Sequence, residues 1–257
     1  MEWLEEVNNQ EERFEEIFSF NEYMEIFKNN YTQEMRTSAL YFKDLFEYFG
    51  RDEEGHFKLF KKEHPDAPSV AGQFSTQEKI YKNLINFTEE GFNNKFLLLI
   101  GPNGSSKSSL VKKIMKATED YSRSDAGKLF SFSWIFPIDT YVKGNLGLST
   151  SQVEKHLNSY AHLEDTEITA ILPSELRDHP LLLIPLKSRQ KLIEKYIGTE
   201  SDLFSQIKQT YLYNGDLSKR NRLIFDALLK NYKGDYERVL KHIRVERYYV
   251  DKRYSVG

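Results

Sequence analysis

The sequence predicts an α/β protein in which an N-terminal helical region precedes a three-layer αβα sandwich. Three observations, consecutive along the chain, support this fold class. An apolar run at 96–100 is typical of a buried strand, a loop with two glycines follows at 101–108, and residues 109–115 have the composition of a helix. Strand, glycine-bearing loop and helix in this order are typical of a phosphate-binding P-loop.

The loop matches the P-loop pattern G-x-x-x-x-G-K-[ST] except at the sixth place, where Ser106 replaces glycine. Backbone N–H groups of such a loop point inward around an anion, and the following helix adds the positive end of its dipole. Lys107 would reach the β- and γ-phosphates as the catalytic residue, and the Ser108 hydroxyl would ligate Mg²⁺. The predicted binding residues are Gly101, Pro102, Asn103, Gly104, Ser105, Ser106, Lys107, Ser108 and Ser109.

Two alternatives stay open at this loop. Glycine at the sixth place permits a backbone geometry that a side chain obstructs, so Ser106 is expected to affect loop geometry and turnover. A loop rich in Gly and Ser can also precede a helix by chance. The flanking apolar run and helix favour the phosphate-binding interpretation.

Composition and charge exclude several classes of protein. The 257 residues are 39% hydrophobic and 29% charged, which is typical of a globular chain. A net charge of -3 gives no argument for nucleic acid or an anionic membrane as partner. The absence of cysteine excludes disulfides and thiolate catalysis. The acidic start is unlike a signal peptide, and no apolar run has membrane-spanning length, so we predict a cytoplasmic protein without a membrane partner.

Residues 1–68 are predicted to form the N-terminal helical region. Spaced apolar residues at its start indicate one or two amphipathic helices, either a solvated arm or a partner-binding tail. The next helix would begin with Thr32 as its cap, carry an aromatic stripe typical of a core, and end at Gly50. His56 and His64 lie in the charged, proline-containing connection that follows. They are predicted to be surface histidines without a metal.

Residues 69–257 are predicted to form the nucleotide-binding domain. Its first helix has the capping-box residues Ser75 and Glu78 and would end at Gly91. Beyond the P-loop helix, four alternating aromatic residues predict a strand with one apolar face: Phe130, Phe132, Trp134 and Phe136. Apolar patterns then predict short segments at 168–172 and 181–184, helices at 187–197, 203–211, 218–232 and 235–243, and a strand at 244–250.

A P-loop enzyme also needs a carboxylate that organises Mg²⁺ at the end of another strand, the Walker B feature. The nearest candidate is Asp139, which follows the apolar residues 135–138, but Pro137 interrupts that run. The apolar run at 181–184 ends in proline and carries no acid. The sequence therefore shows the phosphate half of a nucleotide site without a convincing carboxylate half.

Several stretches of the chain resemble the PrkA-type bacterial serine protein kinases. They are residues 41–50, the segment 70–73 with its following helix, the loop at 101–110, residues 178–185 and, as the longest match, 234–254. The resemblance extends from about residue 20 to the C-terminus. In that family the P-loop ordinarily has glycine where Ser106 stands.

The resemblance implies an AAA+-like P-loop NTPase fold, with ATP and Mg²⁺ as cofactors and a protein with Ser or Thr acceptors as substrate. It places Val70 and Gly72 against adenine. Family members are longer and continue into the rest of the AAA+ module and a kinase-like C-terminal domain. The resemblance therefore implies that the nucleotide domain at 69–257 is incomplete.

Three functions remain in competition. The first is an ATP-dependent serine/threonine protein kinase in which Lys107 stabilises the transferring phosphoryl group. The second is an AAA+ ATPase that couples hydrolysis to conformational work in an oligomer. The third is a nucleotide-binding scaffold without turnover. The H-R-D and D-F-G motifs of eukaryotic-type kinases are absent from the sequence.

A basic cluster near the end of the chain has two interpretations. It consists of Arg238, Arg244, Arg247 and Arg253. It is either a solvated charge set or a trans-acting arginine and subunit contact of an AAA+ ring, which would imply a homo-oligomer. Alternation with Tyr248 and Tyr249 is a weaker sign of nucleic-acid stacking.

Overall fold

The computed structural model describes residues 16–90, 97–138 and 158–251. Within them the chain forms two compact units. The first, here called the sheet unit, consists of residues up to Phe27 together with Phe130–Leu183 and Leu217–Arg247. The second, here called the helical unit, consists of Lys28–Leu129, Ile184–Asp216 and residues from Tyr248 onward. Each unit is thus assembled from separate segments of the chain.

The sheet unit is built on four antiparallel strands in the order β1-β4-β2-β3. Their bounds are Ile17–Ser19 (β1), Phe130–Pro137 (β2), Ile168–Pro173 (β3) and Ile243–Arg247 (β4). The register pairs Phe132 with Val245 and Trp134 with Ile243. These side chains are buried, so the predicted strand at 130–136 is confirmed and forms the centre of the sheet.

The helices follow the predictions in most places and differ in their ends. They are Phe20–Asn29 (α1), Tyr31–Glu34 (α2), Ser38–Phe49 (α3), Lys58–Lys61 (α4), Phe74–Glu90 (α5), Lys107–Ser122 (α6), Leu186–Ile197 (α7), Asp202–Ile207 (α8), Tyr211–Asn214 (α9), Lys219–Asn231 (α10) and Tyr236–Leu240 (α11). Two 3₁₀ turns lie at Asp165–Glu167 and Pro180–Leu183. No helix among the described residues is long and apolar enough to cross a membrane.

Two predicted helix caps were wrong. The helix expected from Thr32 breaks after α2 and restarts at α3, because the Thr37 hydroxyl accepts from the Leu40 N–H at 3.1 Å. Its predicted end at Gly50 is confirmed, with a φ of +68°. In α5 the Glu78 carboxylate pairs with Arg51 instead of returning to a capping box, and the helix begins at Phe74. The predicted stop at Gly91 lies outside the described residues.

A buried apolar core in the described part of the helical unit spans the predicted domain boundary. Leu45, Phe46 and Phe60 from α3 and α4 pack together with Val70 and with Leu110 of α6. The predicted boundary between residues 68 and 69 therefore falls inside this core. The prolines and charged residues that follow Gly50 indicated a connection between two domains, yet the apolar residues on both sides of this connection are buried together.

The strand predicted before the loop does not form among the described residues. Residues 97–100 have no ladder partner there, and the exposed fractions of Leu98 and Ile100 are 69% and 85%. The four described strands belong to the other unit and are antiparallel. The chain is thus α/β in composition, and the described strands do not form the parallel sheet that a P-loop sandwich would have.

Candidate phosphate-binding loop

The loop at 101–106 ends where α6 begins, at Lys107. The first helical hydrogen bond runs from the Leu110 N–H to the Ser106 carbonyl at 2.9 Å. The N–H groups of residues 107–109 therefore have no helical partner and remain available to a ligand. Buried Leu110 and Tyr121 anchor α6 in the core of the helical unit.

Two residues of the loop adopt left-handed backbone conformations. Gly104 has a φ of +80°, and Ser106 has a φ of +59° with a ψ of 17°. This conformation costs a non-glycine residue about 1–2 kcal/mol. Ser106 thus adopts the backbone geometry that glycine would favour at the sixth place of the pattern. The replacement therefore affects the stability of the loop and leaves its left-handed turn intact.

The loop wraps around the ammonium group of Lys107. Lys107 Nζ donates to the carbonyl of Gly101 at 2.8 Å, to the carbonyl of Pro102 at 2.6 Å and to Ser105 Oγ at 2.9 Å. The Ser105 N–H in turn donates to the Pro102 carbonyl at 3.3 Å and closes a tight turn. The charge of the pattern's lysine is therefore centred on the concave side of the loop.

The remaining residues of the predicted set lie around this charge. Pro102, Asn103, Gly104 and Ser108 are exposed, and Ser109 is half-buried. The Ser108 hydroxyl has no hydrogen-bond partner within the described part of the chain, so it is free to ligate an ion. All nine residues 101–109 thus belong to one loop and the start of the helix that follows it.

The two residues assigned to adenine lie in the same unit but play local roles. The Val70 side chain is buried in the core that contains Leu110, and its N–H donates to the Phe60 carbonyl at 2.9 Å. Gly72 has a φ of +73°, and its carbonyl accepts from Gln77 Nε2 at 2.9 Å. Only backbone atoms of Val70 could therefore meet a base, because its side chain is occupied by packing.

The sequence did not predict a cluster of potential metal ligands in the helical unit. Asp52, Glu54 and His56 each offer one ligand atom, and these three atoms lie within 4.8 Å of one another. The Lys61 ammonium already pairs with both carboxylates, and its hydrogen bond lowers the pKa of Asp52 to about 2. The positive charge of Lys61 compensates these acids, so the cluster does not require a metal.

Within the described residues, no carboxylate is identified as the Mg²⁺-organising partner of the loop. Residues 135–137 belong to β2 in the sheet unit, and Asp139 lies outside the described residues. Among the residues that the structure describes, no acidic side chain hydrogen-bonds to residues 101–109. The Mg²⁺-organising acid therefore remains unassigned.

Two of the four arginines in the basic cluster have structural roles. Arg244 is buried and donates from Nε to the Ala161 carbonyl at 2.7 Å and from Nη2 to the Leu163 carbonyl at 3.1 Å. Arg247 is also buried and pairs with Glu16 at 3.2 Å. A trans-acting role is wrong for these two residues, because both hold the sheet unit together. Arg253 lies outside the described residues.

Comparison with known proteins identified no relative. No protein-family model matches the chain, and neither a search of curated proteins nor one of solved structures found a match. The resemblance to PrkA-type kinases therefore stays a prediction, and the functional argument rests on the loop geometry.

Proposed function

We propose that residues 101–109 bind the phosphates of ATP and that the protein is an ATP-dependent serine/threonine protein kinase of the PrkA type. One observation carries the phosphate-binding part of this proposal. A glycine-bearing loop encloses the Lys107 ammonium at the N-terminus of the 16-residue helix α6. The N–H groups of the first helical turn, the lysine charge and the Ser108 hydroxyl lie at the same helix end, and these are the groups that phosphate sites use.

Each residue has a distinct role in this proposal. Lys107 would neutralise charge on the β- and γ-phosphates, and the N–H groups of residues 107–109 would orient them. The exposed Ser108 hydroxyl is a suitable oxygen ligand for Mg²⁺, which would supply further neutralisation of phosphate charge when bound. Transfer to a seryl or threonyl hydroxyl rests on the family resemblance.

An AAA+ ATPase is the second candidate. Val70, in the segment assigned to adenine by the resemblance, and Leu110, in the helix after the loop, belong to one buried cluster, which supports this candidate. This arrangement suits a nucleotide module whether the acceptor is a protein hydroxyl or water. For either enzyme we propose a three-layer αβα sandwich in which residues 97–100 would be the central strand. Leu98 and Ile100 are exposed, and a parallel sheet formed around this strand would cover them.

Binding is tested by Lys107→Ala and calorimetry with Mg²⁺ and ATP. Loss of a charge-assisted hydrogen bond to phosphate should weaken ATP binding by about 100-fold. Lys112→Ala is the matched control, because Lys112 is an exposed lysine on the same helix and should leave the affinity unchanged. Equal ATP affinity in all three proteins would reject the loop as the nucleotide site.

Incubation with γ-labelled ATP and a generic Ser/Thr protein substrate separates the candidate functions. Label on protein supports the kinase, whereas free labelled phosphate alone supports the ATPase. ATP binding without either product would indicate a nucleotide-binding scaffold. Lys107→Ala provides the baseline for both products, because contaminating enzymes would be unaffected by that substitution.

A further inference from the structure

The ammonium group of Lys107 has no spare donor in this structure. A lysine ammonium carries three N–H donors. Lys107 Nζ directs one to the Gly101 carbonyl, one to the Pro102 carbonyl and one to Ser105 Oγ, all between 2.6 and 2.9 Å. A phosphate oxygen that contacts Nζ must therefore replace at least one of these three acceptors.

Ser105 is the acceptor that can be replaced most easily. The two carbonyls belong to the backbone of the loop, so releasing them requires a change in the backbone itself. The Ser105 hydroxyl can turn away by rotation about one side-chain bond. A hydroxyl is also a weaker acceptor for an ammonium than a charged phosphate oxygen, which makes the exchange favourable.

We propose that Ser105 is a positioning residue that holds Lys107 and is displaced by the β- or γ-phosphate of the nucleotide. The inference rests on the proposed nucleotide site and specifies how that site selects its ligand. Only ligands that reach Nζ compete with Ser105. The residue would therefore set the affinity for nucleoside di- and triphosphates without affecting a monophosphate that contacts only the N–H groups of α6.

The close approach at Gly101 supports this arrangement independently. A Cβ atom at Gly101 would lie 2.9 Å from Ser105 Oγ and 3.9 Å from Lys107 Nζ. The first glycine of the motif thus leaves room for the serine hydroxyl to fold across the loop onto the lysine. In Gly101→Ala the Ser105 hydroxyl would have to rotate away, so this variant should release Lys107 much as Ser105→Ala does.

Calorimetry of ATP, ADP and AMP binding tests the proposal on the full chain. Removing a competing acceptor raises the fraction of protein in which Lys107 can bind phosphate. Ser105→Ala should therefore bind ATP and ADP about three- to tenfold more tightly and AMP with unchanged affinity. Ser105→Thr keeps the hydroxyl and should restore the original values. Ser205→Ala, at an exposed serine of α8, is the control for serine removal.

The outcomes separate failure of this inference from failure of the proposed function. Absence of ATP binding to the original chain would reject the nucleotide site and the inference with it. Normal ATP binding with equal effects of Ser105→Ala on all three nucleotides would overturn the inference alone, because a general loop defect does not distinguish them. Unchanged ATP affinity in Ser105→Ala would overturn it as well.

A measurement without nucleotide provides a second readout. Acylation of Lys107 by an amine-reactive reagent, followed by peptide mass spectrometry, reports how tightly Nζ is held. We expect several-fold faster labelling of Lys107 in Ser105→Ala and no change at Lys112. Equal rates of Lys107 labelling in the original chain and in Ser105→Ala would show that Ser105 does not hold the ammonium and would overturn the proposal.

Discussion

Ser106 is the residue at which the loop departs most clearly from the expected pattern. Its backbone has the left-handed conformation that glycine adopts without steric cost. The flanking interactions compensate for this strain, because the Ser106 carbonyl accepts the first helical bond of α6 and Leu110 is buried. Strained residues of this kind often lie at functional sites, where the surrounding structure imposes them.

We expect Ser106→Gly to stabilise the protein by about 0.5–1 kcal/mol. The substitution removes about 1–2 kcal/mol of left-handed strain, and the greater freedom of glycine in the unfolded chain cancels part of this gain. Thermal unfolding should shift upward by about 1–4 °C. Lys112→Gly, within α6, should have the opposite sign because glycine weakens a helix interior. Destabilisation by Ser106→Gly would contradict the left-handed assignment.

His242 is a buried histidine with a hydrogen bond at each ring nitrogen. Its Nδ1–H donates to the Ile135 carbonyl at 2.6 Å, and its Nε2 accepts from the Tyr232 hydroxyl at 2.6 Å. The ring also packs against Tyr160, and the Arg238 guanidinium stacks over Tyr232. Burial, with a smaller contribution from the Arg238 charge, lowers the pKa of His242.

This lowered pKa should make stability depend on pH below neutrality. The pKa of the unfolded histidine is about 6.5 and lies above that of the folded one, so the unfolded state binds more protons between the two values. The free energy of unfolding should be at its full value above this window. It should fall by up to about 1.4 kcal/mol per pH unit as the pH drops through it.

Urea unfolding at pH 7.5 and 5.5 would measure this dependence in the original chain and in His242→Gln. The variant should lose less stability between the two pH values because its side chain does not titrate. Burial also lowers the pKa of His64, so some loss with the same sign should remain in the variant. Equal losses in the two proteins would show that His242 does not titrate differently on folding.

The N-terminal end of α10 is held by a residue far away in the sequence. Asp178 Oδ2 accepts from the Ser218 N–H at 2.7 Å and from Asn221 Nδ2 at 2.8 Å. Asn221 Oδ1 accepts from Trp134 Nε1 at 3.0 Å, and Asn221 Nδ2 also donates to Ser174 Oγ at 2.7 Å. This network ties α10 to the central strand β2 and satisfies buried polar groups on both.

Asp178→Ala should destabilise the sheet unit by about 2–3 kcal/mol. It leaves the Ser218 N–H and part of the Asn221 amide without an acceptor in a buried place. Chemical denaturation followed by tryptophan fluorescence, to which Trp134 contributes, would report the change. Asp226→Ala is the control, because Asp226 is an exposed residue of α10 and its surface ion pair contributes little. A loss below about 0.5 kcal/mol in Asp178→Ala would contradict the role of the network.

Strand β1 is an element that the sequence did not predict. The apolar spacing before residue 20 indicated a helix, yet Ile17–Ser19 forms the edge strand β1. Its residues pair with β4, more than 200 positions later, through partners such as Phe18 and Val245. Three residues carry too short a pattern to distinguish strand from helix, so this element is specified by its distant partner.

At the scale of the whole molecule, each unit needs segments from both sides of residue 68. The core of the helical unit combines Leu45 and Phe60 with Leu110, and the sheet unit includes β1 from the start of the chain. Neither unit is therefore complete in the predicted nucleotide domain 69–257. The apolar area buried across the predicted boundary is therefore expected to be the main contribution to stability that a division at residue 68 would remove.

We expect the fragment 69–257 to lack a cooperative thermal transition by circular dichroism, whereas the full chain should show one. The reason is that the fragment loses α3, α4 and β1 and exposes the apolar surfaces they cover. Leu45→Ala in the full chain is a milder test of the same core and should cost about 2–5 kcal/mol. A fragment that unfolds cooperatively and binds ATP like the full chain would support the predicted boundary instead.

Local sequence alone was sufficient for the features whose partners lie within a few residues. It predicted a loop at 101–108 followed by a helix, the strand β2 and the end of α3 at Gly50; helix α6 begins at Lys107, two residues earlier than predicted. Turn geometry, helix termination and strand alternation depend on neighbouring residues, so a short pattern contains the information that they need. The same pattern identified Lys107 and Ser108 as candidates for phosphate and metal contacts.

Only the tertiary structure decided features that depend on distant partners. It paired Glu78 with Arg51, buried Arg244 among carbonyls, and left residues 97–100 without a strand partner among the described residues. It also showed that Lys107 Nζ donates to Ser105 Oγ and to the carbonyls of Gly101 and Pro102. Side-chain composition does not reveal which acceptor a charged group meets, because that depends on how the folded backbone brings the two together.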